Sequence, residues 1–214
     1  MRRQVFRGMV SGLLAVTFMP QCTNASQYII DPARSQLVVQ LFKTGIGSLF
    51  AHDHVVSAKK FGGQIQLDST TPTAAEISVE VDATTLVADE PEIRQKYNLP
   101  PGLSDESRRE IQQTLGSEDQ LHVRRYPTIR FRSTHITRER KGQYTVTGDL
   151  ELRGVTRTIS LSVQAELRGE ELHGKGSGRF LQSSFGYRPY TAFLGAVKNQ
   201  DEVVLQVEIV AIRQ

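Results

Sequence analysis

The 214-residue chain carries 26 lysines and arginines against 23 aspartates and glutamates, yet Arg2, Arg3 and Arg7 and no acidic group fall in its first 25 residues. The remainder is net neutral with histidines uncharged, which removes the electrostatic case for nucleic acid as a partner. The single cysteine, Cys22, lies in that same first segment, so the rest must fold around an ordinary core without a disulfide.

The first segment has a basic start and an apolar stretch from Gly8 to Met19, too short to span a bilayer. It reads as a secretory signal peptide, residues 1–25, cleaved after Ala25 with Thr23 and Ala25 as the small residues. A twin-arginine signal at Arg2-Arg3 and lipidation of Cys22 stay open, although Pro20 and Gln21 make a poor lipidation box. The expected location is the periplasm or the exterior. Residues 26–214 are enough for one domain of the larger all-β kind.

The run "LFAHDHVV" (49–56) is the first place where chemistry gathers. In a strand, His52 and His54 share a face with Phe50 and Val56, and Asp53 shares the other with Leu49, Ala51 and Val55. Both faces are largely apolar, so periodicity does not say which turns inward. Two histidines could hydrogen-bond a carbonyl or a polar headgroup at a pocket wall. They could also be two of the three ligands a metal needs, with His122, His135 or His173 as the third. A plain structural role, bonded within a sheet or to a helical cover, stays open too. Nucleophilic catalysis has no support: there is no nucleophile elbow, and a histidine next to an aspartate in a strand points away from it.

Period-two alternation dominates the remainder. Ile77, Val79 and Val81 alternate with Ser78, Glu80 and Asp82, and the pattern recurs over 143–152, 159–167 and 203–211, with turn residues at 140–143, 152–155 and 168–171. One dry face and one wet face per strand is the mark of an antiparallel sheet. A single segment departs from it. After Pro100-Pro101-Gly102, Ser104 can cap a helix with Asp105 and Glu106 in its first turn and Gly116 near its end, and Ser117 with Gln120 suggests a second capping box. A helical insertion is expected over roughly 104–122. Many strands and one helical cover point to closure into a barrel of about eight strands, which removes exposed sheet edges.

In "ELHGKGSGRF" (171–180), Gly174, Gly176 and Gly178 share a face with Leu172 and Phe180. Three glycines in register signal either curvature or space, and if space, Gly176 marks the middle of a hollow.

The chain resembles the polyisoprenoid-binding YceI-like proteins of bacterial envelopes. The resemblance rests on "YIIDPARSQLVVQL" from Tyr28, "FGGQIQLD" (61–68), "RRYPTIRFRST" (124–134), "GDLELRGVTRTISL" (148–161), Phe185-Gly186 and "DEVVLQVEIVAI" (201–212). It implies an extended lipocalin-like antiparallel barrel that carries an isoprenoid lipid or quinone-like amphiphile, without catalysis and without a cofactor. The family's glycine, arginine and phenylalanine run is replaced here by "GSLFAHDHVV", and the insertion from Glu92 to Gly116 is longer, so the ligand is least transferable there.

On that reading the expected ligand-binding residues are His52, His54, Gly176, Phe42, Phe61, Phe131 and Phe180, with Phe185, Tyr187, Tyr190 and Phe193 around one mouth. Aromatic rings offer large apolar area, and tyrosine hydroxyls can face a wet headgroup. Transient membrane contact and a homodimer stay open. Two alternatives from other classes stand beside the carrier: a metal-dependent envelope enzyme or metal-binding protein centred on His52 and His54, and an interaction module for another envelope protein.

Overall fold

The computed structural model describes residues 25–47, 51–101 and 103–214, so the expected signal segment through Asn24, and Leu49 and Phe50 of the histidine run, lie outside the described residues. Alternation gives strands where it is longest. These are β1 Ser26–Ile30, β2 Gln36–Thr44, β3 His54–Ala58, β4 Phe61–Leu67, β5 Glu76–Asp82, β6 Leu86–Ala88, β7 Thr128–Arg140, β8 Gln143–Leu152, β9 Val155–Arg168, β10 Glu171–Leu181, β11 Thr191–Ala192 and β12 Val197–Arg213. Every pairing among the described residues is antiparallel.

Eight of them, in the order β1-β4-β5-β7-β8-β9-β10-β12, close on themselves through the β1–β12 ladder. One edge of β12 runs along β10 for its whole pairing, while its other edge is divided. Lys198 to Glu208 pair with β2, and Ala211 to Arg213 pair with β1. A side sheet of β2, β3 and β6 therefore branches from β12 and forms extra wall.

Two helices lie between β6 and β7. Helix α1, Pro91–Lys96, begins on a proline, the residue whose missing N–H costs nothing at that position. Helix α2, Asp105–Gly116, is capped by Ser104, whose hydroxyl accepts from Ser107 N at 3.1 Å. The expected helix thus starts where the capping residues put it but stops at Gly116 rather than 122. Ser117 and Gln120 instead close a turn, with His122 N donating to Ser117 O at 2.7 Å. Gln112 of α2 bonds the backbone of β6 on both sides of its amide, to Ala88 N and to Leu86 O, each at 2.8 Å. That contact satisfies an edge strand that would otherwise be open to pairing.

The interior divides into two apolar clusters. Leu150, Leu152, Ile159, Leu161, Phe185 and Tyr187 form one. Tyr28, Ile30, Ile65 and Ala211 form the other, a plug between β1, β4 and the end of β12. Among the described residues no helix is long and apolar enough to cross a membrane, which says nothing of strands.

Candidate functional site: an apolar cavity with one polar end

Between the plug and the opposite wall lies a cavity of about 280 Å³. That is near the lower end of the roughly 300–1,000 Å³ common for small-molecule sites. Its walls are the inward rows that alternation marks: Ile77 and Val79 of β5, Ile159 and Leu161 of β9, Val203 and Leu205 of β12. The side sheet contributes Leu37, Val39 and Leu41 of β2, Val56 and Ala58 of β3, and Leu86 of β6, and the cover contributes Leu115 of α2. No described residue of β1 or β4 reaches the cavity, because their inward side chains are spent on the plug.

Polar side chains are few and gather at one end. Gln182 is 2% exposed and donates from Nε2 to Gln200 O at 2.8 Å. Gln120 donates to Arg188 O at 3.2 Å. Arg130 borders the cavity too, but its guanidinium pairs outside with Glu80 at 3.0 Å and with Glu151 at 3.6 Å. Among the described residues Tyr187 is the one hydroxyl in the lining. Burial pushes its pKa well above the ordinary phenol value, Asp201 pushes the same way, and Arg153, 5.5 Å from the ring centroid, opposes both. The phenol stays protonated and can donate.

At that same end stands a buried charged cluster. Asp89 is 0% exposed and takes φ 54°, a left-handed conformation that aspartate tolerates better than most residues. The turn brings its carboxylate back onto β3, where Oδ1 accepts from Val55 N at 3.1 Å and from Arg94 Nη1 at 2.7 Å. Oδ2 meets His54 Nδ1 at 2.6 Å. Arg94, 4% exposed, also donates to Asp53 O at 2.9 Å and Pro100 O at 2.8 Å, while its Nε is buried without a partner among the described residues. Burial is the largest influence on Asp89 and pushes its carboxyl up, but the bonds from His54, Arg94 and Val55 together hold it below the usual carboxylate range. The cluster ties α1 and the segment after it to β3.

A family model described as YceI-like domain matches residues 28–211. The chain belongs to this family. Solved structures share the barrel fold: Burkholderia cenocepacia BcnA superposes with a TM-score of 0.64 at 18% identity, over 85% of this chain and 98% of that one. The Campylobacter jejuni YceI protein superposes with a TM-score of 0.54 at 16% identity, over 74% of this chain and 84% of that one. Among curated sequences, a UPF0312 protein of Shewanella oneidensis is 23% identical over 97% of this chain and 98% of its own length. A UPF0312 protein of Vibrio cholerae is 25% identical over 78% of this chain and 77% of its own.

Within this YceI-like barrel the expected site residues scatter. Phe131, Phe180 and Tyr187 line the cavity. Phe131 lies across Gly148, where an added Cβ would meet the ring at 2.4 Å, so the glycine of β8 makes room for it. Phe42 is corrected to the outer face, since its neighbour Leu41 is the one that faces in. Phe61 packs against the plug. Phe185, 1% exposed, is core rather than lining and meets Phe180 edge-on at 5.4 Å. Tyr190 is 41% exposed and outside the lining, and the side chain of Phe193 lies outside the described residues.

The two histidines part company. His52 is exposed and precedes β3, whereas His54 is its first residue, so the shared strand face expected for them does not form. Just before the strand the carboxylate of Asp53 accepts from Lys43 N at 2.8 Å, so a side chain takes the backbone donor of β2 and the ladder begins only at His54. Among the described residues no group of three metal-ligating side chains comes together.

Gly176 is corrected as well. An added Cβ there would meet Val163 Cγ2 at 2.9 Å and Val207 Cγ2 at 3.1 Å, so its neighbours already fill the space. Gly174 is the glycine of the row that faces open space, with nothing within 4 Å, and it lines the cavity. The walls are mainly aliphatic rather than aromatic, and the alternating Leu37, Val39 and Leu41 carried that signal in the sequence.

Proposed function

We propose that the cavity binds the chain of an isoprenoid-type amphiphile, a polyprenyl or quinone tail, as a carrier or sequestering protein without catalysis. The observation that carries this reading is the division of the lining: aliphatic along its length, with Gln120, Gln182 and Tyr187 collected at one end. A ligand with a long apolar body and one polar terminus matches such a lining, because each buried polar group must find a partner while the body needs none. Membership of the YceI-like family supports the same reading. The proposal includes export by the segment 1–25, so that the carrier works in the cell envelope. Native mass spectrometry of protein purified from that envelope, followed by lipid extraction, tests it. A bound mass that releases a prenyl lipid is expected. Protein recovered ligand-free that also fails to take up prenyl lipids from solution would overturn the reading.

A further inference from the structure

His54 stands one step outside the cavity on the cavity's own face. It pairs directly across the ladder with Leu41, and opposite residues of an antiparallel pair share a face. Leu41 lines the cavity, and so do Val56 and Ala58, the next two residues on the His54 side of β3. The imidazole is therefore the last member of an inward row, at the rim. The polar lining lies at the same end: Gln182 bonds Gln200 O, Gln200 Nε2 reaches Lys43 O at 3.4 Å, and Lys43 N donates to the carboxylate of Asp53.

The cluster behind the ring decides what it can offer. Asp89, paired with Arg94 and a backbone N–H, carries no proton to give, so the proton on the 2.6 Å contact belongs to His54 Nδ1. Asp89 and Arg94 already cancel each other's charge. The carboxylate is 0% exposed and the guanidinium side chain 5% exposed, so the pair backs the ring from the side away from solvent. The neutral ring leaves a lone pair on Nε2, and the ring's one hydrogen bond among the described residues is at Nδ1. The ring itself is 18% exposed.

We propose that His54 Nε2 is a hydrogen-bond acceptor at the mouth of the cavity, held in that tautomer by Asp89 and Arg94, and that it selects amphiphiles whose polar end donates a proton. A terminal hydroxyl meets this requirement, and an ether or a quinone carbonyl does not. The inference rests on the amphiphile reading and narrows its ligand class to alcohols and quinols.

Farnesol and farnesyl methyl ether separate the cases, since both share one apolar body and only the alcohol donates. At pH 8.5, about two units above the ordinary histidine range, wild-type protein should bind the alcohol about tenfold more tightly, the scale of one net hydrogen bond. His54→Phe should bind both with equal affinity, whatever their common level, because the preference for the alcohol is lost with the acceptor. The ¹⁵N resonance of His54 Nε2 in wild-type protein should shift upfield with the alcohol and stay with the ether, a readout that needs no variant to fold. Equal affinities in wild type, a preference that survives in folded His54→Phe, or a resonance that the alcohol leaves unmoved would each overturn the assignment. Failure of both ligands to bind would overturn the amphiphile reading beneath it.

Discussion

Two buried regions of this barrel follow opposite rules. The cavity is apolar and open, and its walls are held by strand ladders and by neighbours on one side only. The cluster of His54, Asp89 and Arg94 is charged and full, with the carboxylate of Asp89 accepting three hydrogen bonds. They meet at the polar end of the cavity, joined through β3. The difference shows how a barrel can hold space and still carry ionised groups: charge is confined to a paired knot behind the rim, and the wall is aliphatic along most of its length. A region with slack tolerates change, and a region where the carboxylate is fully matched does not.

The sharpest way to break that contrast is at the charged knot. Asp89→Ala strands Arg94 as a buried charge without a counterion, and removing one partner of such a pair typically costs about 3–5 kcal/mol. Chemical denaturation should show a loss of that size, with α1 detached from β3. A loss under ~1 kcal/mol, the surface-pair scale, would mean the knot is not dry.

Glycines two residues apart on β10 sharpen the comparison at smaller scale. Gly176→Leu drives a side chain into Val163 and Val207, and overpacking of this kind costs about 1–3 kcal/mol. Gly174→Val enters open space, so thermal unfolding should move little, and relief of glycine's backbone entropy could raise stability by up to ~1 kcal/mol. Its effect belongs to binding, with prenyl-chain affinity falling at least tenfold. If Gly174→Val unfolds the protein as Gly176→Leu does, the two positions do not differ in free space.

The smallest expected effect comes from acid. Glu171, bonded to Arg34 at 2.6 and 2.9 Å and to His173 at 2.9 Å, has its pKa lowered to about 2. Its folded value lies below its unfolded one, so its contribution is whole above the ordinary glutamate range and is lost as pH falls toward 2. Side-chain NMR titration should place the midpoint near 2 in wild type and closer to the ordinary value in Arg34→Ala.

Most of the wall was legible in the sequence because alternation is local: Ile77, Val79, Ile159, Leu161, Val203 and Leu205 announce an inward row from their spacing alone. The start of α2 was legible for the same reason, since a capping serine and two acids sit side by side. The branching of β2, β3 and β6 from β12 was not, because pairing partners are chosen across the fold and leave no periodic mark. The histidine run misled in a specific way. Its pattern suits a strand, but the carboxylate of Asp53 bonds Lys43 N, a contact no spacing rule foresees. Asp89 and Arg94, far from His54 in sequence, became its partners only through a left-handed turn, although Asp89-Glu90-Pro91 did hold the signal for a helix start. Rings were expected in the lining for their area, yet a pleated wall packs branched aliphatics more evenly and leaves aromatics for gaps such as the one over Gly148.

The divided edge of β12 bears on the order in which the molecule assembles. Hairpins β7–β8, β8–β9 and β9–β10 join segments a few residues apart, while the ladder that shuts the ring joins Tyr28 to Arg213 and Ile30 to Ala211. Contacts so distant along the chain carry the largest loop-closure entropy, and topologies that depend on them fold slowly. The ring should zip from β7 to β12 first and receive β1 last, so the plug of Tyr28, Ile30, Ile65 and Ala211 is the final core to consolidate. Amide hydrogens of β1 should accordingly exchange with solvent through smaller openings than those of β8 and β9, making this seam the lowest-energy route into the interior.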